Sequence, residues 1–258
     1  MADCQVSLII PAWNEEAWLR ATLERYLPIL ESNCQEFEVL VVVDGSEDHT
    51  REVAESFHDR RVAVLGFEER LGKGGAITAG MRAAKYGTIG FIDADGPVTG
   101  LDLLQLLRAV RRCDAAIASR WVTGRRFARR QPVSRMVVGR LWNLLVRLAL
   151  NLPLADTQCG AKLFQAGALR LALSEVHVNN WAIDAAILFR IARNGGRIVE
   201  VPVTYTDRPD SKLSIGKAAP SMLATLLALR LDTSRWRGRF PDRLLHQLGL
   251  FFGAGADG

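Results

Sequence analysis

The chain has 258 residues, 49% hydrophobic and 24% charged, with a formal net charge of +5, a length that fits one large domain or two small ones and can bury a sizeable core. Its four cysteines (Cys4, Cys34, Cys113, Cys159) form no C-x-x-C pair and its four histidines (His49, His58, His177, His246) show no metal-ligand spacing, which speaks against a disulfide framework or a zinc knuckle and suits a reducing compartment. No leader-like segment opens the sequence and no apolar run approaches the ~20 residues that cross a bilayer, so the expectation is a protein that is not integral to a membrane yet can touch one.

Residues 6–10, Val-Ser-Leu-Ile-Ile, read as a buried strand stopped by Pro11. Residues 15–30 show helical spacing, with acids in the first turn where the helix dipole favours them. A second buried strand at 39–43 is stopped by Asp44-Gly45-Ser46, and a helix follows from about His49. The alternation continues with strands at 62–66, 88–92 and 115–118 and helices at 73–86 and 101–112. Strands apolar on both faces, alternating with helices, predict a mostly parallel sheet covered on both sides. Loops leaving the carboxyl ends of such strands form the ligand crevice. That rule places residues 11–15, 44–46 and 93–95 on one rim.

Beyond Ala118 the pattern changes. Residues 119–135 are Arg-rich and loop-like, and 135–152 form a strongly apolar helix carrying Arg135, Arg140 and Arg147. A Gly-rich loop at 155–162, a helix at 181–194 closed by Gly195-Gly196, and an alternating strand at 198–205 come next. A polar loop runs to Lys217, an apolar helix spans about 221–231, and the residues from Gly253 have the composition of a disordered tail. No internal repeat and no linker divides the chain. The division expected is a catalytic domain over 1–217 and a C-terminal amphipathic helix with a flexible tail over 218–258.

Asp93 and Asp95 stand two apart at a strand end, in Phe91-Ile92-Asp93-Ala94-Asp95-Gly96. Two hard oxygen ligands there suit Mg²⁺ or Mn²⁺ bridging to substrate phosphates; taken alone the pair reads first as a plain strand-end turn, and its place on the rim is what favours the metal. Gly72-Lys73-Gly74-Gly75 matches neither G-x-G-x-x-G nor a nucleotide-hydrolase P-loop. It reads either as a flexible helix start or as close packing near a nucleotide, with Lys73 neutralising charge. Between Asp114 and Asp156 there is no acidic residue, and eight arginines lie there: Arg120, Arg125, Arg126, Arg129, Arg130, Arg135, Arg140 and Arg147. So one-sided a stretch expects an anionic partner. Without an RNP-like aromatic pattern or a zinc finger, nucleic acid is not expected. The helix at 135–152 suits a headgroup layer with its arginines snorkelling outward, or burial in the domain. The loop Asp207-Arg208-Pro209-Asp210-Ser211-Lys212 is a solvated turn or a basic lid over the crevice.

Seven stretches in fixed order resemble GT-A-fold, family-two glycosyltransferases, and more narrowly the polyprenyl-phosphate sugar synthases of the dolichyl-phosphate glucosyltransferase type. They are SLIIPAWNEE (7–16), VVVDGSEDHT (41–50), GKGGAITAGM (72–81), FIDADGP (91–97), ASRW (118–121), ADTQCGAKLF (155–164) and VEVPVTYTDRPDSKL (199–213). The resemblance implies a Rossmann-like GT-A sheet with amphipathic interfacial helices, and an inverting transferase moving a hexose from a nucleotide sugar to a polyprenyl phosphate. Glucose from UDP-glucose is the first expectation. GDP-mannose, another donor, or a soluble acceptor on the same fold are the alternatives. By resemblance, Pro11, Trp13, Glu15 and Asp44 line the nucleoside pocket, Lys73 serves the donor, and Asp93 and Asp95 hold Mg²⁺ or Mn²⁺. Arg120, Arg135, Arg208 and Lys212 grip phosphates, while Asp156 and Gln158 face the sugar and the reacting centre. The family commonly has an acid before D-G-S, where this sequence has Val43, and a tyrosine where it has Trp13. Peripheral attachment to the cytoplasmic face of a membrane is the location implied.

Overall fold

A computed structural model describes residues 4–123, 126–129, 133–206 and 215–232. In chain order the elements are β1 (Gln5–Ala12), α1 (Glu16–Asn33), β2 (Glu36–Asp44), α2 (Thr50–Glu55), β3 (Val62–Phe67), α3 (Gly72–Ala83), β4 (Thr88–Ile92), α4 (Gly100–Val110), β5 (Ala115–Ser119), β6 (Arg126–Arg129), α5 (Val133–Leu150), β7 (Ala161–Gln165), α6 (Ala166–Ser174), α7 (Ile183–Arg193), β8 (Ile198–Pro202), β9 (Thr204–Thr206) and α8 (Ile215–Asp232).

Seven strands form one sheet in the order β3-β2-β1-β4-β7-β5-β8, and β6 pairs with β9 in a small second sheet. The pairs β3–β2, β2–β1, β1–β4 and β5–β8 are parallel, whereas β7 runs antiparallel to both β4 and β5. The unbroken apolar runs of β1 and β2 follow from burial on both faces. Val6, Leu8 and Ile10, with Val39, Val41 and Val43, pack in the layer that contains residues of α1 and α4; Ile9, Leu40 and Val42 pack in the opposite layer, with α3 and α7. Val43, just before Asp44, is thus a core valine.

The antiparallel β7 does more than extend the sheet. Because it runs backwards, the loop that enters it arrives at the carboxyl ends of the parallel strands, beside Asp93. Asp93 N donates to Gly160 O at 2.9 Å.

Some elements differ from the sequence reading. Residues 119–135 contain β6 and the start of α5 rather than loop alone. The strand expected at 198–205 breaks at Val203, so that β9 leaves the main sheet for β6. Asp102 has two roles here: it completes the Thr99 capping box of α4, and its carboxylate accepts from Thr204 N at 3.1 Å. The helix expected at 73–86 stops at Ala83, and α6 forms where no element was read. The division at 217/218 falls inside α8, whose Ala218, Met222, Leu226 and Leu229 join the core that α7 occupies. Among the described residues no helix is long and apolar enough to cross a membrane. Arg208, Lys212 and the tail from 233 lie outside the described residues.

Candidate active site

Three loops of the parallel half meet at one rim and are tied together by short polar contacts. Asn14, in the left-handed region at φ 53°, donates through its N–H to Ser46 Oγ at 3.1 Å and accepts from Glu47 N at 2.8 Å. Glu15 N donates to Thr50 Oγ1 at 2.7 Å. These contacts fix the loop that presents Trp13, whose ring carries the Arg70 guanidinium 3.5 Å from its centroid. Asp44, nearly buried, accepts from Leu71 N at 2.5 Å and so joins the end of β2 to the start of α3.

The segment carrying the paired aspartates is gripped from α1. Thr22 Oγ1 donates to Ala94 O at 2.7 Å, Arg25 Nη1 to Gly96 O at 2.8 Å, and the buried Tyr26 hydroxyl to Val98 O at 2.7 Å. Helix α1 therefore fixes the backbone on which Asp95 sits. On the other side Gly160 leaves room for the Asp93 carboxylate: a Cβ there would lie 2.1 Å from Asp93 Oδ2. Gly74 serves a similar packing need. Its N–H donates to Asn179 O at 2.9 Å, and a Cβ would meet Val178 O at 2.5 Å. Gly72–Gly75 both opens α3 and packs closely at Gly74, which brings Lys73 into the site.

Lys73 Nζ lies 2.9 Å from Asp93 Oδ1 and 3.1 Å from Oδ2, with Asp184 Oδ2 3.9 Å away. Burial works against its charge, but Asp93 and Asp184 outweigh that and raise its pKa, so it is an ammonium ion. Lys162, fully buried in β7, donates to Cys159 O at 2.7 Å and to Asp184 Oδ1. Burial pushes the Cys159 thiol up to about 12, so it stays protonated at neutral pH.

Asp156 is 1% exposed and does not line the cavity. Arg120 closes a fork on it, Nε to Oδ2 at 2.7 Å and Nη2 to Oδ1 at 2.9 Å, and the Arg120 and Gln158 N–H groups add bonds at 2.9 and 3.2 Å. Burial alone would raise the carboxyl, yet the guanidinium holds it below the usual carboxylate range. Glu200 of β8 takes the N–H groups of Ala155 and Asp156 at 2.8 and 2.9 Å. Asn143 of α5 bonds Ala155 O at 2.6 Å and Thr157 N at 3.0 Å. The loop at 155–160 is held from three sides, and Arg120 is its product: a guanidinium fixed at the crevice, 5.1 Å from the Tyr205 ring.

One cavity of about 680 Å³ joins these parts. Pro11, Trp13, Glu15, Asp44, Lys73, Asp93, Asp95, Arg120 and Gln158 all line it, together with the unforeseen Arg70. The lining also holds apolar side chains, Leu141, Trp142 and Leu145 from α5 and Met222 and Leu223 from α8, and Trp181, whose ring lies 4.7 Å from the Lys73 ammonium. The Gln158 amide nitrogen is buried without a hydrogen-bond partner among the described residues. Arg135 falls on the first turn of α5, its side chain outside the described residues, as are Arg208 and Lys212. Sequence reasoning missed Arg70, Asn143, Lys162, Asp184 and Glu200. The alternation Ala161-Lys162-Leu163-Phe164 was the available sign of a strand, and a lysine inside it was a sign of a buried partner.

For a divalent cation the donor set is chemically apt. Asp93 and Asp95 offer hard carboxylate oxygens on one cavity wall, and Gly160 keeps space beside one of them. Among the described residues no three acidic, cysteine or histidine side chains form a closed metal cluster. A cation here would therefore complete its shell with water and substrate oxygens, as Mg²⁺ does at phosphate sites.

A sheet of this order, with acids at the carboxyl end of β4 and a returning antiparallel strand beside them, defines the GT-A class. Residues 7–171 match the family described as "Glycosyl transferase family 2", and the chain belongs to that family. An undecaprenyl-phosphate mannosyltransferase of Micrococcus luteus is 35% identical, over 90% of this chain and 98% of that protein. A dolichyl-phosphate beta-glucosyltransferase of Drosophila melanogaster is 33% identical, over 81% and 69%. Glycosyltransferase AglD of Haloferax volcanii is 36% identical over 83% of the chain, which spans only 35% of that longer protein. Among solved structures, glucosyl-3-phosphoglycerate synthase of Mycobacterium tuberculosis, in complex with Mn²⁺, UDP and phosphoglyceric acid, superposes with a TM-score of 0.70 at 20% identity. That likeness covers 89% of this chain and 79% of the other, and concerns the fold alone.

Proposed function

We propose that this glycosyltransferase moves a hexose, glucose from UDP-glucose in the first instance, to a polyprenyl phosphate at a membrane surface, with inversion and with Mg²⁺ or Mn²⁺. The observation that carries this is a single cavity lined both by paired carboxylates with an aromatic face and by leucines of α5 and α8. Such a cavity suits a diphosphate donor meeting a phosphate that bears an apolar tail.

Trp13, backed by Arg70, offers a face to the nucleobase, with Asp44 beside it. Asp93 and Asp95 would hold the cation, which when bound supplies Lewis-acid neutralisation of the departing diphosphate. Lys73 adds a positive charge at the same wall. Asp156 fixes Arg120, which would take the acceptor phosphate, and the Gln158 amide, which has no partner among the described residues, would donate to a sugar hydroxyl. The phosphate oxygen, already anionic near neutral pH, attacks the anomeric carbon as the bond to the diphosphate oxygen breaks, its electron pair leaving with the diphosphate. That nucleophile needs orientation and charge compensation more than a general base.

The membrane part of the proposal rests on α5 and α8. Leu144 and Leu148 of α5 are 49% and 72% exposed and Leu227 of α8 is 62% exposed, with Arg140 and Arg147 exposed beside them. Apolar side chains rimmed by arginines suit the headgroup layer of an anionic bilayer. The undecaprenyl-phosphate mannosyltransferase relative makes mannose the second donor to try. Purified protein with Mn²⁺, a short polyprenyl phosphate and a panel of nucleotide sugars, read by mass spectrometry, tests the reading. A glycosyl lipid phosphate that disappears with chelator and in Asp95→Ala supports it. Transfer undiminished under both conditions refutes it.

A further inference from the structure

Four side chains of alternating charge run inward from the crevice wall: Asp93 and Lys73 on the lining, then the buried Asp184 and Lys162. Lys73 Nζ donates to Asp93 Oδ2 at 3.1 Å and lies 2.9 Å from Oδ1, which accepts no hydrogen bond among the described residues. Its next carboxylate is Asp184, whose Oδ2 lies 3.9 Å off while Oδ1 is taken by Lys162. Lys73 and Asp184 are 10% and 1% exposed, and the faces of Trp181 and Phe91 lie 4.7 and 5.9 Å from the ammonium. Lys73 is thus a mostly buried ammonium at the cavity wall, within 4 Å of two carboxylates.

We propose that Lys73 is a displaceable counter-ion of Asp93, seated there when no divalent cation is bound and passed to Asp184 when one arrives, with Asp184 acting as the positioning residue that receives it. This rests on the reading of Asp93 and Asp95 as cation ligands. The argument is electrostatic. An ammonium within 3.1 Å of both oxygens of a carboxylate disfavours a second cation on it, because like charges repel strongly at a buried, poorly screened site. The ammonium must then find another anion within reach. Asp184 Oδ2 is that anion, and moving from 2.9 Å of one carboxylate to contact with another 3.9 Å away is within the swing of a lysine side chain. The adjoining aromatic faces keep the ammonium compensated during the passage. Lys162 pins Asp184 throughout, which is why a second buried lysine is needed in β7.

Binding of Mn²⁺ alone to the intact protein, without nucleotide and read by loss of the free-ion EPR signal, tests this. Lys73→Met removes the competitor and tightens Mn²⁺ binding by about tenfold. Asp184→Asn strands Lys73 on Asp93 and weakens binding severalfold, yet has no such effect in the Lys73→Met background. A merely structural Asp184 weakens binding equally in both backgrounds, and that result overturns the proposal. So does Lys73→Met binding no more tightly than wild type, which decides the matter alone if Asp184→Asn does not fold. If Asp95→Ala binds Mn²⁺ as well as wild type, the metal-site reading itself fails. If Asp95→Ala loses binding and Lys73→Met gains nothing, only the exchange fails.

Discussion

Gly160→Ala isolates the geometry of the paired carboxylates. The added Cβ would stand 2.1 Å from Asp93 Oδ2 and 2.6 Å from its Cγ, where real Cβ contacts stay beyond 3.0 Å. The backbone has little freedom to yield, because Asp93 N is bonded to Gly160 O at 2.9 Å and Ile92 pairs with Ala161 across β4 and β7. The Asp93 side chain must therefore swing by about 1 Å, a misplacement expected to cost roughly 100-fold in the catalysed rate, or about 2.7 kcal/mol of transition-state stabilisation. Overpacking of about 1–3 kcal/mol should lower the melting temperature by a few degrees without unfolding the chain. The assay is steady-state transfer to a short polyprenyl phosphate, run beside thermal unfolding and repeated in an Asp93→Ala background. There the glycine change should add nothing, because the group it displaces is gone. A folded Gly160→Ala protein with more than a third of wild-type activity would refute the reasoning.

Asp156→Asn removes the charge that fixes Arg120 and should destabilise the fold by about 3–5 kcal/mol at neutral pH, as breaking a buried pair does. The folded carboxyl lies below its ordinary value, so its contribution is complete above the unfolded-state pKa of about 3.9 and fades as pH falls through the folded one. Denaturant titrations from pH 7 downward should therefore show the wild-type advantage shrinking only below about pH 4; an equal gap at every pH contradicts this. Arg70→Ala, by loosening Trp13, should raise the donor KM by about 3- to 30-fold with little change in kcat, since a cation–π contact of about 0.5–2 kcal/mol is lost. A fall in kcat at constant KM would count against nucleobase stacking. Leu144→Asp with Leu148→Asp should abolish flotation with anionic vesicles while leaving the melting temperature nearly unchanged, because both side chains are exposed. Unaltered flotation would move the membrane contact elsewhere.

The parallel half of the fold was readable because its strands are buried on both faces, and a run such as Val39 to Val43 admits little else. The acids that close β2 and β4, Asp44 and Asp93, were readable for the same reason: polar residues ending an apolar strand mark the rim. What escaped was the antiparallel strand β7 and the charges it brings. Gly160 and Lys162 gave 155–162 the look of a loop, since a lysine is seldom wholly buried. Its partner Asp184 lies 22 residues away inside an apolar helix, and no local pattern links the two. Arg120 was foreseen as a phosphate ligand, but its clamp on Asp156 was not, because the fork depends on Glu200 and Asn143 holding the 155–157 backbone from distant elements. Sequence periodicity reports one element's environment; these contacts belong to the meeting of several.

A crystal grown with UDP and Mn²⁺ tests the central claim most directly. An anomalous manganese peak against the Asp93 and Asp95 carboxylates, with uracil on the Trp13 face and Arg120 open to the apolar side, is the result expected. Nucleotide bound elsewhere, or manganese absent from that wall while UDP is present, would contradict it.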